Sequence, residues 1–300
     1  LLYENGVLIT KTVWVYPPRD EPSSGDSLQN PEYLKFIQDI QAKGFEIGLH
    51  NVGSGDYTRD EILEGLEEYR EKLGGYPDIH INHSYNKDSI YGGHKRFNFP
   101  FNKIVKMLYP QYAKNFEGEI RKSQYFWGDE HKKIIKFSRN HEFGGINTLK
   151  YDPRTPYIDP KRSEFCNLWF SSTFAPNQWV FNELINETTI DQLERENGTC
   201  IVFTHLGYFM RDGQIDPGFK STIEYLGRKK GNYKPVSDVL NDIIEKRVTE
   251  GKPRAPKLRS LVKARMELQH LMTRVKFRWM TKLDDYAFKD LKKEMFDEKD

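Results

Sequence analysis

Cysteine is nearly absent from this 300-residue chain, which has only Cys166 and Cys200. Two thiols make neither a disulfide framework nor a cysteine-built zinc site, so both are expected as buried free thiols in a reducing compartment. A long apolar run is also missing, which argues against a spanning helix. No charged-then-apolar leader with a cleavage site is found, and the expected location is cytoplasmic. Fixed-period repeats are absent too. The formal net charge is only +2, and outside the C-terminal region the chain is slightly acidic. Nucleic acid is therefore not expected as a partner. The chain does not begin with Met, and Leu1-Leu2-Tyr3-Glu4 reads as the tail of a helix, so further residues are expected upstream.

What is present is enough for a core. Hydrophobic residues make up 37% and aromatics 14% of the chain. Apolar, β-rich runs alternate with helical patterns. Strands are expected at 7–15, 45–49, 78–83, 166–171 and 199–205, and helices at 31–43, from Thr58 to Gly74, and at 101–107, 189–196, 217–229 and 237–247. Thr58 caps its helix, Asp60 and Glu61 fill the first turn, and Gly74-Gly75 ends it. Strand, helix, strand, helix implies a parallel sheet of the α/β class. The stretch from Ile90 to Gly145 has no clear period beyond its one helix.

Three of the eight histidines share a setting. His50 ends the run "GFEIGLH", His83 ends "DIHINH" and His205 ends "TCIVFTH", each followed by a polar loop. In a parallel fold all strand C-termini point to one rim, where active sites lie. Three imidazoles there can meet, as metal ligands or proton carriers. A single such histidine more often hydrogen-bonds a loop carbonyl than binds a metal, but three in the same setting favour that default less. His80 is expected to face away from the cleft, because strand positions alternate.

The segments "GFEIGLHNV", "INHS", "IYGG", "FWGD", "INTLKYDPRTPYIDP", "NLWFSS", "CIVFTHLG" and "PVSDVLNDII" occur in an order that resembles the WbmS-type polysaccharide deacetylase-like proteins. These are distant relatives of the NodB-homology deacetylases, carbohydrate esterase family 4. The resemblance covers roughly residues 1–245, judged by motif order. It implies a distorted (β/α) barrel over 1–250, here without its first strand, then a linker at 251–256 and an extension at 257–300. It also implies a metal-dependent hydrolase that removes an acetyl or formyl group from an amino sugar in surface-polysaccharide (O-antigen) biosynthesis. The alternative is a sugar-binding or assembly module that kept the fold without the catalytic set.

By that resemblance His50 matches the first metal histidine and His205 the late-strand acid. The second metal histidine of the family lies four positions after the first, where this chain has Ser54. Asp56 or His83 then takes the place, with His83 preferred. The expected cofactor is a divalent metal, zinc first, with manganese, cobalt or nickel as alternatives. The family's aspartate motif is expected on a strand upstream of this chain. Asn147, Asp159 and Asn167 are candidate cleft residues. Trp127 and Trp169 are candidate sugar platforms or core residues. Asn51, Asn82 and Ser84 flank the key histidines, as substrate contacts, supports or turn residues.

From Lys252 to Lys282 the only acid is Glu267, among ten Lys and Arg. Residues 257–280 form an amphipathic, cationic helix pattern, suited to an anionic membrane surface, to self-association, or to docking on its own protein.

Overall fold

The computed structural model describes residues 1–20, 25–83, 85–109 and 116–283. Ser84 and the tail from Asp284 lie outside the described residues.

Six parallel strands form one sheet in the order β1 (Thr10–Val13), β2 (Glu46–Leu49), β3 (Ile79–His80), β4 (Phe137–Phe143), β5 (Leu168–Phe174) and β6 (Val202–Phe203). Each strand pairs with its neighbour in sequence, so the sheet winds in one direction and curls into a half-barrel. A small antiparallel hairpin, β7 (Met210–Arg211) with β8 (Gln214–Ile215), follows β6. The α/β class with a parallel sheet therefore holds. Strands β1, β2, β3 and β6 are shorter than the apolar runs that announce them, while β5 is shifted two to three residues onward. His83 stands three residues beyond β3 and His205 two beyond β6, while His50 follows β2 directly.

Local chemistry sets the helix ends. For α1 (Pro31–Ala42), the Asn30 side chain accepts from the backbone N–H of Glu32 at 3.0 Å and of Tyr33 at 3.4 Å. A capping box of Thr58 and Glu61 starts α2 (Arg59–Leu73), and left-handed Gly74 ends it. Its Ile62, Leu66 and Tyr69 pack on Ile47 and Leu49 of the sheet and on Ile37 of α1. Each such buried side chain contributes roughly 1.5–3 kcal/mol.

Between β3 and β4 lie α3 (Phe101–Leu108) and α4 (Gly128–Ile134), and between β4 and β5 a short α5 (Thr148–Tyr151). Next come α6 (Gln178–Leu184) and α7 (Glu187–Arg195), then α8 (Pro217–Arg228), α9 (Val236–Thr249) and α10 (Ser260–Lys276). Strand β4 falls in the stretch that showed no period. Its sequence, Phe137-Ser138-Arg139-Asn140-His141-Glu142-Phe143, mixes charge with apolar residues, and its pairing with β5 is irregular between Arg139 and Glu142.

The expected break at 251–256 is not a break in packing. Ile158 N–H donates to the Pro256 carbonyl at 3.0 Å, and Leu258 N–H donates to Ile158 at 2.8 Å. Helix α10 then docks on β4. Thr273 Oγ1 accepts from Gly144 N–H, His270 Nδ1 accepts from Glu142 N–H, and Phe277 joins the core around Phe174 and Phe219. A Cβ on Gly144 would lie 2.9 Å from Phe277 Cε2, so glycine there permits the close approach. Under the helix, Lys263 and Arg162 both pair with the buried carboxylate of Asp159. The helix is a wall of the molecule. Its outward side exposes Leu261, Leu268, Met272 and Val275, and Trp279 just beyond its end is exposed as well.

Candidate functional site

At the C-terminal rim of the sheet lies a cavity of about 320 Å³, lined by His50, His83 and His205 together. The β2 end supplies His50, the loop after β3 supplies His83, and the loop after β6 supplies His205. The His50 and His83 rings stand 5.0 Å apart between centroids. Trp14, just past β1, stacks on His50 at 6.1 Å and meets His83 edge-on at 5.6 Å. Phe203 meets His205 edge-on at 5.0 Å.

Hydrogen bonds fix two of the tautomers. The Asn86 amide nitrogen donates to the Gly53 carbonyl, so its Oδ1 is turned to accept from His83 Nδ1 at 3.1 Å. His205 Nδ1–H donates to the Pro176 carbonyl at 2.9 Å. Both rings therefore carry their proton on Nδ1 and keep the lone pair on Nε2. Burial pushes all three imidazoles below their ordinary value. For His50, the neighbouring His83, Arg139 and His205 add to the downward shift. The Asn86 hydrogen bond and the Asp20 charge act upward on His83, and the Pro176 carbonyl and Glu142 act upward on His205, without overturning burial. The rings are neutral at neutral pH, the form that binds metal or accepts a proton.

Two neutral imidazoles 5.0 Å apart suit a divalent ion as nitrogen donors. Among the described residues no group of three His, Cys, Asp or Glu side chains is drawn together to enclose one. The carboxylate whose charge reaches His83 is that of Asp20, in the loop after β1. Ser54 Oγ donates to it at 2.5 Å. The serine four residues after His50 thus holds a carboxylate beside the histidines.

Asp56 is not such a ligand. Its carboxylate accepts from Lys87 N–H at 2.8 Å and pairs with Lys87 Nζ at 3.1 Å, and it does not line the cavity. Asn51 lies behind the histidines rather than in the cleft. Its Oδ1 accepts from His83 N–H at 3.0 Å and contacts His80 Nε2, and its Nδ2 donates to Asp88 at 2.6 Å. His80 is buried and bonded onward to His131, away from the cavity. Asn82 does line the cavity, with its amide engaged by both backbone groups of Ile90.

The remaining candidates are structural. Trp127 is buried and donates its indole N–H to the Asp88 carbonyl at 2.6 Å. Trp169 is buried in the cluster with Phe143 and Tyr157. Asn147 caps α5 and donates to Glu196, and Asn167 ties the Lys132 and Ile135 carbonyls. Asp159 holds Arg162 and Lys263. Short polar side chains in turns satisfy the backbone, which explains these outcomes.

Sequence reasoning missed the charged wall. Arg96, Arg139, Glu142, His270 and Arg274 line the same cavity. Arg139 lies over the Phe203 ring at 3.7 Å, and burial lowers it to about 10, so it stays cationic at neutral pH. Glu142 sits 3.6 Å from Arg139 and 3.2 Å from Arg274. Burial alone would raise Glu142, but Arg274 and Arg139 outweigh it and hold the carboxyl at about 2. The signal was the pair of charges inside "KFSRNHEF", since charge in a central strand needs a purpose. Comparison with family models, with curated proteins and with solved structures found no match.

Proposed function

We propose that the protein is a metal-dependent hydrolase that removes an acetyl or formyl group from the nitrogen of an amino sugar, in surface-polysaccharide biosynthesis. The observation that carries this reading is the meeting of His50, His83 and His205 at one cavity. His50 and His83 are the residues that would hold the ion, zinc first, and when bound it supplies Lewis acidity toward the acyl carbonyl. Asp20, fixed by Ser54 outside the cavity lining, acts through its charge on His83. His205 offers a bare Nε2, which takes up a proton and delivers it to the departing nitrogen as the C–N bond breaks. Water is consumed, and a carboxylic acid and a free amine leave.

The free thiols Cys166 and Cys200 support a reducing, cytoplasmic setting. Among the described residues no helix is long and apolar enough to cross a membrane. On the outer face of α10 and the residues after it, exposed Arg265, Lys276, Arg278 and Lys282 flank Leu268, Met272, Val275 and Trp279. That combination suits the anionic headgroups of a membrane surface, where lipid-linked glycans are built.

The test is release of acetate or formate from N-acyl amino sugars with zinc or manganese present. Turnover is expected in the wild type, with a loss of about 10²–10⁴-fold in His205→Ala. Sugar binding with no release by the wild type would refute the hydrolase and favour the binding module. An equally active His205→Ala would refute the role of His205.

A further inference from the structure

Hydrogen-bond donors and acceptors are divided between the walls of the cavity. On the sheet rim, His83 and His205 carry their protons on Nδ1 and keep Nε2 bare. The opposite tautomer stands on α10. Strand β4 pairs irregularly with β5 between Arg139 and Glu142, and the Glu142 N–H there donates to His270 Nδ1 at 3.1 Å. A backbone N–H only donates, so Nδ1 of His270 holds a lone pair. Burial pushes this imidazole down to about 3, against the upward pull of the Glu142 carboxylate, so the ring carries a single proton at neutral pH. That proton is on Nε2.

His270 lies on the inner face of α10 with Met266 and Thr273, and only 4% of it is exposed. It lines the same cavity as His50, His83 and His205. With Nδ1 turned to the β4 backbone, Nε2 lies on the far side of the ring, and it has no hydrogen-bond partner among the described residues. The rings that flank it, Phe97 and His141, each stand 5.5 Å away between centroids, and neither nitrogen of His141 is bonded to it. A nearly buried N–H without an acceptor is unfavourable, and an oxygen brought by a ligand relieves it.

We propose that His270 is a specificity-determining residue: its Nε2–H donates to a sugar oxygen beside the N-acyl group held at the rim histidines. That the ligand is an N-acyl amino sugar rests on the hydrolase reading, whereas the free donor on α10 does not. Helix α10 thereby serves the site as well as the core.

Two readouts test the inference, with N-acetylglucosamine as the probe. In protein with nitrogen-labelled histidine, long-range proton–nitrogen NMR correlation should show His270 as the Nε2–H tautomer at neutral pH. Its Nε2 resonance should shift when the probe is added. Calorimetric binding should weaken about ten-fold or more in His270→Leu and by no more than a few-fold in His270→Gln, whose amide still offers an N–H. Both variants lose the imidazole that accepts from the Glu142 N–H, so their difference reads the cavity donor rather than the support of β4. His270→Asn keeps an acceptor for Glu142 but falls short of the cavity, and should bind as weakly as His270→Leu. An Nδ1–H tautomer, no binding of the probe by the wild type, or equal binding by the Gln and Leu variants would overturn the inference. Acetate release by the wild type with equal binding in those two variants would refute this inference alone. A difference between them without any release would refute the hydrolase alone.

Discussion

Replacing His141 with leucine tests the electrostatic account of the rim. His141 is fully buried on β4, between Phe97 and His270, and neither ring nitrogen has a hydrogen-bond partner among the described residues. Burial, with His270, Lys263 and Arg96 nearby, pushes its imidazole well below 6.5. The folded-state value is thus depressed relative to the unfolded chain, so the unfolded chain takes up the proton first as pH falls. Wild-type stability is therefore lost progressively below about pH 6.5, by an amount on the order of 1 kcal/mol at pH 5.5 from this one group.

At pH 7.5, removing two unpartnered polar atoms gains about 1–3 kcal/mol, less a repacking cost of up to about 1.5. His141→Leu should therefore equal or exceed the wild type at pH 7.5. Its advantage should widen by on the order of 1 kcal/mol at pH 5.5. Urea unfolding at the two pH values reads this difference, and all other titrating groups cancel between the proteins. A difference independent of pH would refute the neutral buried imidazole. A loss above about 2 kcal/mol at pH 7.5 would mean that the ring nitrogens are engaged.

Asp159→Asn leaves the buried Arg162 without its counter-charge and Lys263 with only Glu267 at 3.9 Å, and should cost about 3–5 kcal/mol in urea unfolding. Unchanged stability with lost sugar binding would restore Asp159 as a cleft residue. Replacing both Met272 on the outer face of α10 and Trp279 just beyond it with serine should abolish sedimentation with phosphatidylglycerol vesicles while leaving the melting temperature within a few degrees. Undiminished sedimentation would refute the lipid-surface role of that face. Asn51→Ala removes the acceptor for His83 N–H and should lower acyl release by about ten- to a hundred-fold. Full activity in that variant would show that His83 needs no such support.

The sequence was most informative where a local rule decides the structure. Thr58 as cap, Asp60 and Glu61 in the first turn and Gly74 at the end announce α2 to within a residue or two, and the apolar face expected over 31–43 announces α1. Ending strands on His50, His83 and His205 placed three imidazoles at one rim because parallel strands share a direction. Strand β4 was illegible for the opposite reason. Arg139 and Glu142 resemble a polar loop until Arg274 arrives from α10, far along the chain, to share their charge. Likewise, nothing local distinguishes Asp20 from Asp56. One turns toward Ser54 and the histidines and the other toward Lys87, and loop geometry makes that choice. The basic C-terminal helix showed its amphipathic pattern plainly. Its docked side was hidden because Lys263, Glu267 and His270 read as solvent-facing residues, yet all three are buried.

The account depends most on His50 and His83 holding one divalent ion. Calorimetric titration of the metal-stripped protein with zinc tests this directly. The expected result is one ion per chain in the wild type, with binding weakened at least a hundred-fold in both His50→Ala and His83→Ala. No binding by the wild type, or binding that survives both substitutions, would contradict it.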